Sequence, residues 1–185
     1  FGYELNDMLF EMYGMTQVEK IPVGINLHRI EADKYGKLWV TSRGNYGSVR
    51  SKMFVLEKEN KFSHKMVVTD TLDIPCSEMC IQGDSLYFYS VEWNNQEERN
   101  NITYGIIDVR TRELLTDHFI TDGTEQNIEI PYGINVNPTN GDIYVTDAKN
   151  YVSSGALHCY SREGKKKWSV RAGDIPAHMV FLFKK

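Results

Sequence analysis

Lys37-Leu38-Trp39-Val40-Thr41-Ser42 is an aliphatic-aromatic-aliphatic run that leaves a turn at Gly36 and enters a polar loop, and the chain writes it twice more. Ser85-Leu86-Tyr87-Phe88-Tyr89-Ser90 follows Gly83, and Asp142-Ile143-Tyr144-Val145-Thr146-Asp147 follows Gly141. Upstream of each turn stands an apolar-x-apolar segment: Ile30-Glu31-Ala32, Met79-Cys80-Ile81 and Ile134-Asn135-Val136. A fourth, Met179-Val180-Phe181, ends the chain without its partner. Apolar residues on both parities suit a strand packed on both faces between neighbouring sheets. A recurrence of roughly fifty residues, filled with strand-type sequence, is the mark of small sheets arranged radially, the β-propeller.

Outward from that run, each unit reads as four strands. The innermost begins after Ile-Pro (Ile74-Pro75, Ile130-Pro131, Ile175-Pro176), where proline costs no ladder hydrogen bond. The second is the quoted run. A polar loop follows (Arg43 to Ser51, Glu92 to Asn100, Lys149 to Ser154), then a third strand over Met53 to Leu56, Tyr104 to Asp108 and Leu157 to Tyr160. A charged or Gly-containing turn leads to the fourth strand, over His64 to Val68, Leu114 to Ile120 and Lys167 to Val170. Four antiparallel strands with short turns make one blade. No segment sustains a helical repeat for ten residues. Tyr3 to Tyr13 alone offers a helix face, against the competing reading of an outer strand pair closed by Gln17 to Lys20.

The expected fold class is all-β, a β-propeller of four-stranded antiparallel blades with about three and a half blades present. Residues 1–21 are outer strands of a preceding blade, 22–74, 75–130 and 131–175 are blades, and 176–185 are the inner strand of a closing blade.

Composition bounds the function. A chain of 185 residues with 41% hydrophobic and 12% aromatic content is globular. A net charge of −4 argues against a nucleic-acid face, and Lys165-Lys166-Lys167 beside Gly164 reads as a solvated turn. No apolar stretch is long enough for a transmembrane segment. The chain opens on Phe1 with no signal peptide, so the N-terminus is expected to be a boundary left by processing or truncation. Cys76, Cys80 and Cys159 read as small core side chains, and no His or Cys spacing fits a zinc site.

Pro22 to Leu27, Pro131 to Val136, the run Asn137-Pro138-Thr139-Asn140-Gly141-Asp142-Ile143-Tyr144-Val145-Thr146-Asp147 and the closing Gly173-Asp174-Ile175-Pro176-Ala177-His178 carry a resemblance. Over residues 15 to 183 the chain resembles the YVTN-type β-propeller repeat proteins, in particular the exported, surface-layer-like bacterial members. The resemblance implies a seven-bladed ring in the complete protein and an extracytoplasmic location, in the periplasm or at the cell surface. It supplies no catalytic residues. The chain departs from the pattern in holding about half a ring and in its first fourteen residues.

In a propeller, the loops entering the innermost strand and those joining strands two and three share one face, a concave place for ligands. The inner-strand entrances put Arg29, Glu78, Gly133 and His178 there; the longer loops add Arg43, Asn45, Tyr46, Trp93, Asn94, Lys149, Asn150 and Tyr151. Aromatic rings beside amides and guanidinium groups suit a glycan or a peptide. The structural alternative is that Tyr46 and Tyr151 brace their own loops. Trp93, in the longest and most polar loop, reads as a ligand contact.

The expected function is a non-catalytic exported binding or scaffold module. The alternative is a metal-dependent hydrolase or lyase of the propeller-lactonase kind, for which Glu78, Asn135 and Asp147 offer oxygen ligands without matching repeat positions. Asp122 to Asn127 lacks the alternation of a calcium loop. The five histidines are scattered singly, and only His178 stands at an inner-strand entrance. No Gly-x-Ser-x-Gly anchors a triad, and neither a haem attachment nor a dinucleotide fingerprint calls for a cofactor. An open arc would bare apolar faces and strand edges. A second copy joined head to tail, or a missing N-terminal half, is therefore expected to close the ring.

Overall fold

The structure, a computed structural model, describes residues 2–4, 8–13, 16–45, 48–63, 65–94 and 96–182, with side chains from Lys20 onward. It is all-β and divides into two compact units, one ending at Ser77 and one beginning at Glu78.

The first unit opens with a three-stranded antiparallel sheet, β1 (Gly2–Glu4), β2 (Met8–Tyr13) and β3 (Thr16–Pro22), in the order β1-β2-β3. Of the two readings of the N-terminal stretch, the strand reading holds. A four-stranded antiparallel sheet follows, β4 (Leu27–Ala32), β5 (Leu38–Ser42), β6 (Lys52–Lys58) and β7 (Met66–Leu72), ordered as in the chain. Every residue of β5 is buried, as a run apolar on both parities requires. Its turn is built around Asp33. That buried carboxylate accepts the amides of Tyr35 (2.9 Å) and Lys37 (3.0 Å) on one oxygen and the Trp39 indole N–H (3.1 Å) on the other. Gly36 takes the left-handed φ of 81° that the turn needs. Ile21, Leu27, Leu38, Val40, Leu56 and Met66 form this unit's core.

The second unit holds two more four-stranded antiparallel sheets. β8 (Glu78–Gln82), β9 (Ser85–Asn94), β10 (Arg99–Asp108) and β11 (Leu114–Thr116) form one. After a 3₁₀ turn at Thr124–Asn127, β12 (Pro131–Val136), β13 (Ile143–Asp147), β14 (Ala156–Tyr160) and β15 (Lys166–Arg171) form the other. In both, the first strand is one edge and the last is the other. β12 packs beside β8 and β9. A core that includes Tyr89, Tyr104, Phe119, Ile134, Val145 and Tyr160 draws on both sheets.

Three features differ from the sequence expectation. The stretch Glu92 to Asn100 is mostly ladder, with Asn94 opposite Arg99 and Trp93 opposite Asn100, so the loop shrinks to a hairpin tip. The strand expected over Leu114 to Ile120 stops at Thr116, because Phe119 turns inward and its amide bonds to the Tyr104 carbonyl at 2.9 Å. Residues 176–182 form no strand. They run along β12 and β13 by side-chain contacts: Thr146 Oγ1 donates to the Pro176 carbonyl, Asn135 Nδ2 donates to the Met179 carbonyl at 3.0 Å, and the Tyr144 and Phe181 rings meet edge to face at 5.3 Å. Carbonyls taken by side chains leave that segment without a backbone ladder.

The three cysteines form no disulfide. Among the described residues no helix is long and apolar enough to cross a membrane.

Candidate functional site

In an antiparallel sheet the start of strand one and the end of strand two lie at the same end, so each four-stranded sheet has a loop end and a turn end. At the loop end of the first, the approach to β4 is clamped to the exit of β5. Ser42 Oγ donates to the Ile25 carbonyl at 2.5 Å, Arg43 N donates to the Asn26 carbonyl at 3.0 Å, and Asn26 Nδ2 donates to the Gly44 carbonyl at 3.2 Å. Gly24 makes room for the clamp, since a Cβ there would stand 2.6 Å from the Phe54 ring. Asn45 then turns the chain back, its amide oxygen accepting from Val49 N at 2.8 Å and its Nδ2 donating to Ser48 Oγ at 3.1 Å.

Between the clamp and the returning loop lies a groove of about 540 Å³. Val23, Ile25, Val49 and Phe54 give it apolar walls, and Arg50 and Lys52 stand on one side. Lys52 is paired with Asp73 at 2.6 Å, whereas among the described residues no carboxylate pairs with Arg50. Of the expected site residues in this unit, Arg43 donates through Nη2 to His28 Nε2 at 2.8 Å, and Arg29 holds the strand through its amide to Thr41 Oγ1 at 3.0 Å. Tyr46 lies outside the described residues.

At the loop end of the sheet from β12 to β15, the structure gathers Lys149, Asn150 and Tyr151 near the segment carrying His178. Asp147, buried at the end of β13, receives Ile130 N at 2.9 Å, Lys149 N at 2.8 Å and Glu129 N at 3.3 Å. Asn150 Oδ1 accepts from Val152 N, Ser153 N and Ser153 Oγ. Lys149 (φ 50°) and Tyr151 (φ 63°) both sit in the left-handed region, which is costly for side chains of their size. The Tyr151 ring meets Tyr132 edge to face at 5.8 Å yet stays exposed. Pro176 and Ala177 abut this end; a Cβ on Gly133 would stand 2.1 Å from the Ala177 carbonyl.

The sheet from β8 to β11 separates what the sequence put together. Glu78 is buried, its Oε1 accepting from Met79 N at 3.1 Å, opposite Tyr89 in the ladder. Trp93 lies four residues further along β9, about 13 Å at ~3.3 Å per residue. The residue is 60% exposed on the hairpin. Asn94 Oδ1 caps the tip, accepting from Gln96 N at 2.9 Å and Glu97 N at 3.2 Å.

The side-chain oxygens of Asp147 and Asn135 accept backbone amides: Asp147 Oδ1 that of Ile130, and Asn135 Oδ1 that of Val136 at 2.9 Å. Among the described residues no three His, Cys, Asp or Glu side chains are grouped to hold a metal ion. Asp122 accepts from Thr124 Oγ1 at 2.6 Å and Lys166 N at 2.7 Å, bonds that hold its carboxyl below the usual range and close a turn. A buried polar group lies inside the second unit instead. The Tyr104 and Tyr160 hydroxyls, Glu125 Oε2, Ser90 Oγ and both His158 nitrogens have no hydrogen-bond partner among the described residues. Burial raises the Tyr104 hydroxyl far above its ordinary value and pushes Tyr160 up to about 12.

No family model matches this sequence, and no curated protein matches it. The groove beside Arg50 was not read from the sequence. Arg50 stands at the far end of a polar loop, and only the fold-back set by Asn45, with Gly44 at φ 65°, brings it near Phe54.

Proposed function

We propose that the protein is a non-catalytic, exported β-propeller part, a binding or scaffold module that takes a glycan or peptide at the loop ends of its sheets. One observation carries the reading. In the second unit two four-stranded antiparallel sheets set their first strands side by side, as neighbouring blades do about an axis. Blades of this kind hold irregular loops on a rigid frame, which suits recognition. The loop ends bear exposed Trp93 and Tyr151 beside amides and cations, a mixture that stacks on and hydrogen-bonds to sugars or peptides. Export and surface location rest on the likeness of residues 15 to 183 to YVTN-type repeats. The three four-stranded sheets and the three-stranded sheet β1-β2-β3 are read as part of a larger ring, closed by a second copy or by further polypeptide.

Glycan and peptide arrays probed with the wild type beside Trp93→Ala test this. The expected outcome is binding that weakens about tenfold or more in the variant, the usual effect of truncating an aromatic anchor. Unchanged binding removes Trp93 from the site, and no binding to any probe contradicts the reading.

A further inference from the structure

We infer that the groove at the start of β4 seats an acidic peptide segment, with an apolar side chain against Val23, Ile25 and Phe54 and a carboxylate on Arg50. This rests on the binding-module reading above and names the ligand class at one of its loop ends.

Charge favours an acidic ligand. In a chain of net charge −4, the groove is lined by two cations, Arg50 and Lys52, and, among the described residues, by no carboxylate. Arg50 is exposed at the groove and, among the described residues, has no acidic partner. Lys52 beside it pairs with Asp73, whose side chain is 82% exposed, and a solvated pair of that kind is cheap to rearrange. A guanidinium at the mouth of an apolar groove favours a planar carboxylate, which it binds through two parallel N–H bonds.

The walls decide between peptide and sugar. A neutral sugar needs several directed polar partners. Here the Ser42 hydroxyl already donates to Ile25 and accepts from Gly44 N at 3.4 Å, and Val23, Ile25, Val49 and Phe54 offer hydrocarbon. A volume of about 540 Å³ accommodates a large apolar side chain with its flanking backbone. The carboxylate on Arg50 is that of an acidic side chain beside the apolar one.

The test is ¹⁵N-NMR titration of the whole chain with four probes. Acetyl-Gly-Leu-Glu-Gly-amide carries an internal carboxylate and acetyl-Gly-Gly-Leu a terminal one; acetyl-Gly-Leu-Gln-Gly-amide is the neutral control and cellotriose the sugar. The glutamate peptide is expected to shift the amides of Val23 to Ile25 and Val49 to Lys52, and to bind more tightly than acetyl-Gly-Gly-Leu. Arg50→Glu and Val49→Glu, both at exposed loop positions where the fold tolerates change, should each weaken that binding about tenfold or more, the loss of a charge-assisted or apolar contact. Equal binding of the glutamine peptide, tighter binding of acetyl-Gly-Gly-Leu, or groove shifts from cellotriose alone overturns the inference and leaves the binding-module reading standing. So do peptide shifts confined to the loops around Trp93 or Tyr151. A lack of response at every loop to all four probes contradicts both.

Discussion

His158 illustrates what a single repeat position does to stability. It faces Val145 across the ladder, as Phe54 faces Val40 in the first unit, so a titratable ring occupies a place that elsewhere holds a phenyl group. Burial, and then the Lys166 charge, lower its pKa from the ordinary 6.5. The unfolded chain therefore takes up the proton first as pH falls. The neutral ring's contribution is fully present above about 6.5 and is lost as pH drops below it. Asp108, held down to about 2 by Arg110, gives way in a separate and more acidic window, below the ordinary carboxylate range. Urea unfolding at pH 7.5 and 5.5 should show the loss, and His158→Phe should flatten it without lowering stability at pH 7.5. A slope equal to that of the wild type would contradict this assignment.

At the scale of elements, the strands declare themselves wherever both faces are buried, and much less where one face or both meet water. The five residues Leu38 to Ser42 are a strand on any reading, and the turns at Gly36, Gly83 and Gly141 take the left-handed φ expected of such glycines. Glu92 to Asn94 and Arg99 to Asn101 are polar or exposed, so nothing in their pattern separates a solvated hairpin from a loop. The candidate site was legible only in part. Loop ends follow from strand order, which is why Lys149, Asn150 and Tyr151 share one of them. Whether an asparagine contacts a ligand or caps its own turn depends on backbone geometry, and Asn45, Asn94 and Asn150 all have their side-chain oxygens committed to caps. Packing between strands was equally hidden. Gly105 lies against Phe88, where a Cβ would come within 2.3 Å of the ring and 3.1 Å of the Thr116 carbonyl. Gly105→Ala should cost about 1–3 kcal/mol by overpacking, read as a lower urea midpoint at unchanged slope. A neutral effect would mean that the β9–β10 face is looser than described.

The whole molecule carries apolar surface that a folded chain ordinarily covers. Val180 and Leu182 are 78% and 89% exposed on the segment beside β12, and each large apolar side chain gains about 1.5–3 kcal/mol on burial. If further sheets complete a ring, they have this surface to cover. Light scattering is expected to return a mass above the 21.4 kDa of one chain, and a monodisperse particle of 21.4 kDa would contradict closure by a second copy. The protein is expected to meet its ligand at the loop ends and not at the turn ends. Hydrogen–deuterium exchange of the whole chain, with and without the tightest array probe, tests it most directly. Protection is expected at residues 22–26, 43–51, 92–100 and 149–154. Protection instead at the opposite turns, residues 57–65, 109–113 and 161–165, would contradict it.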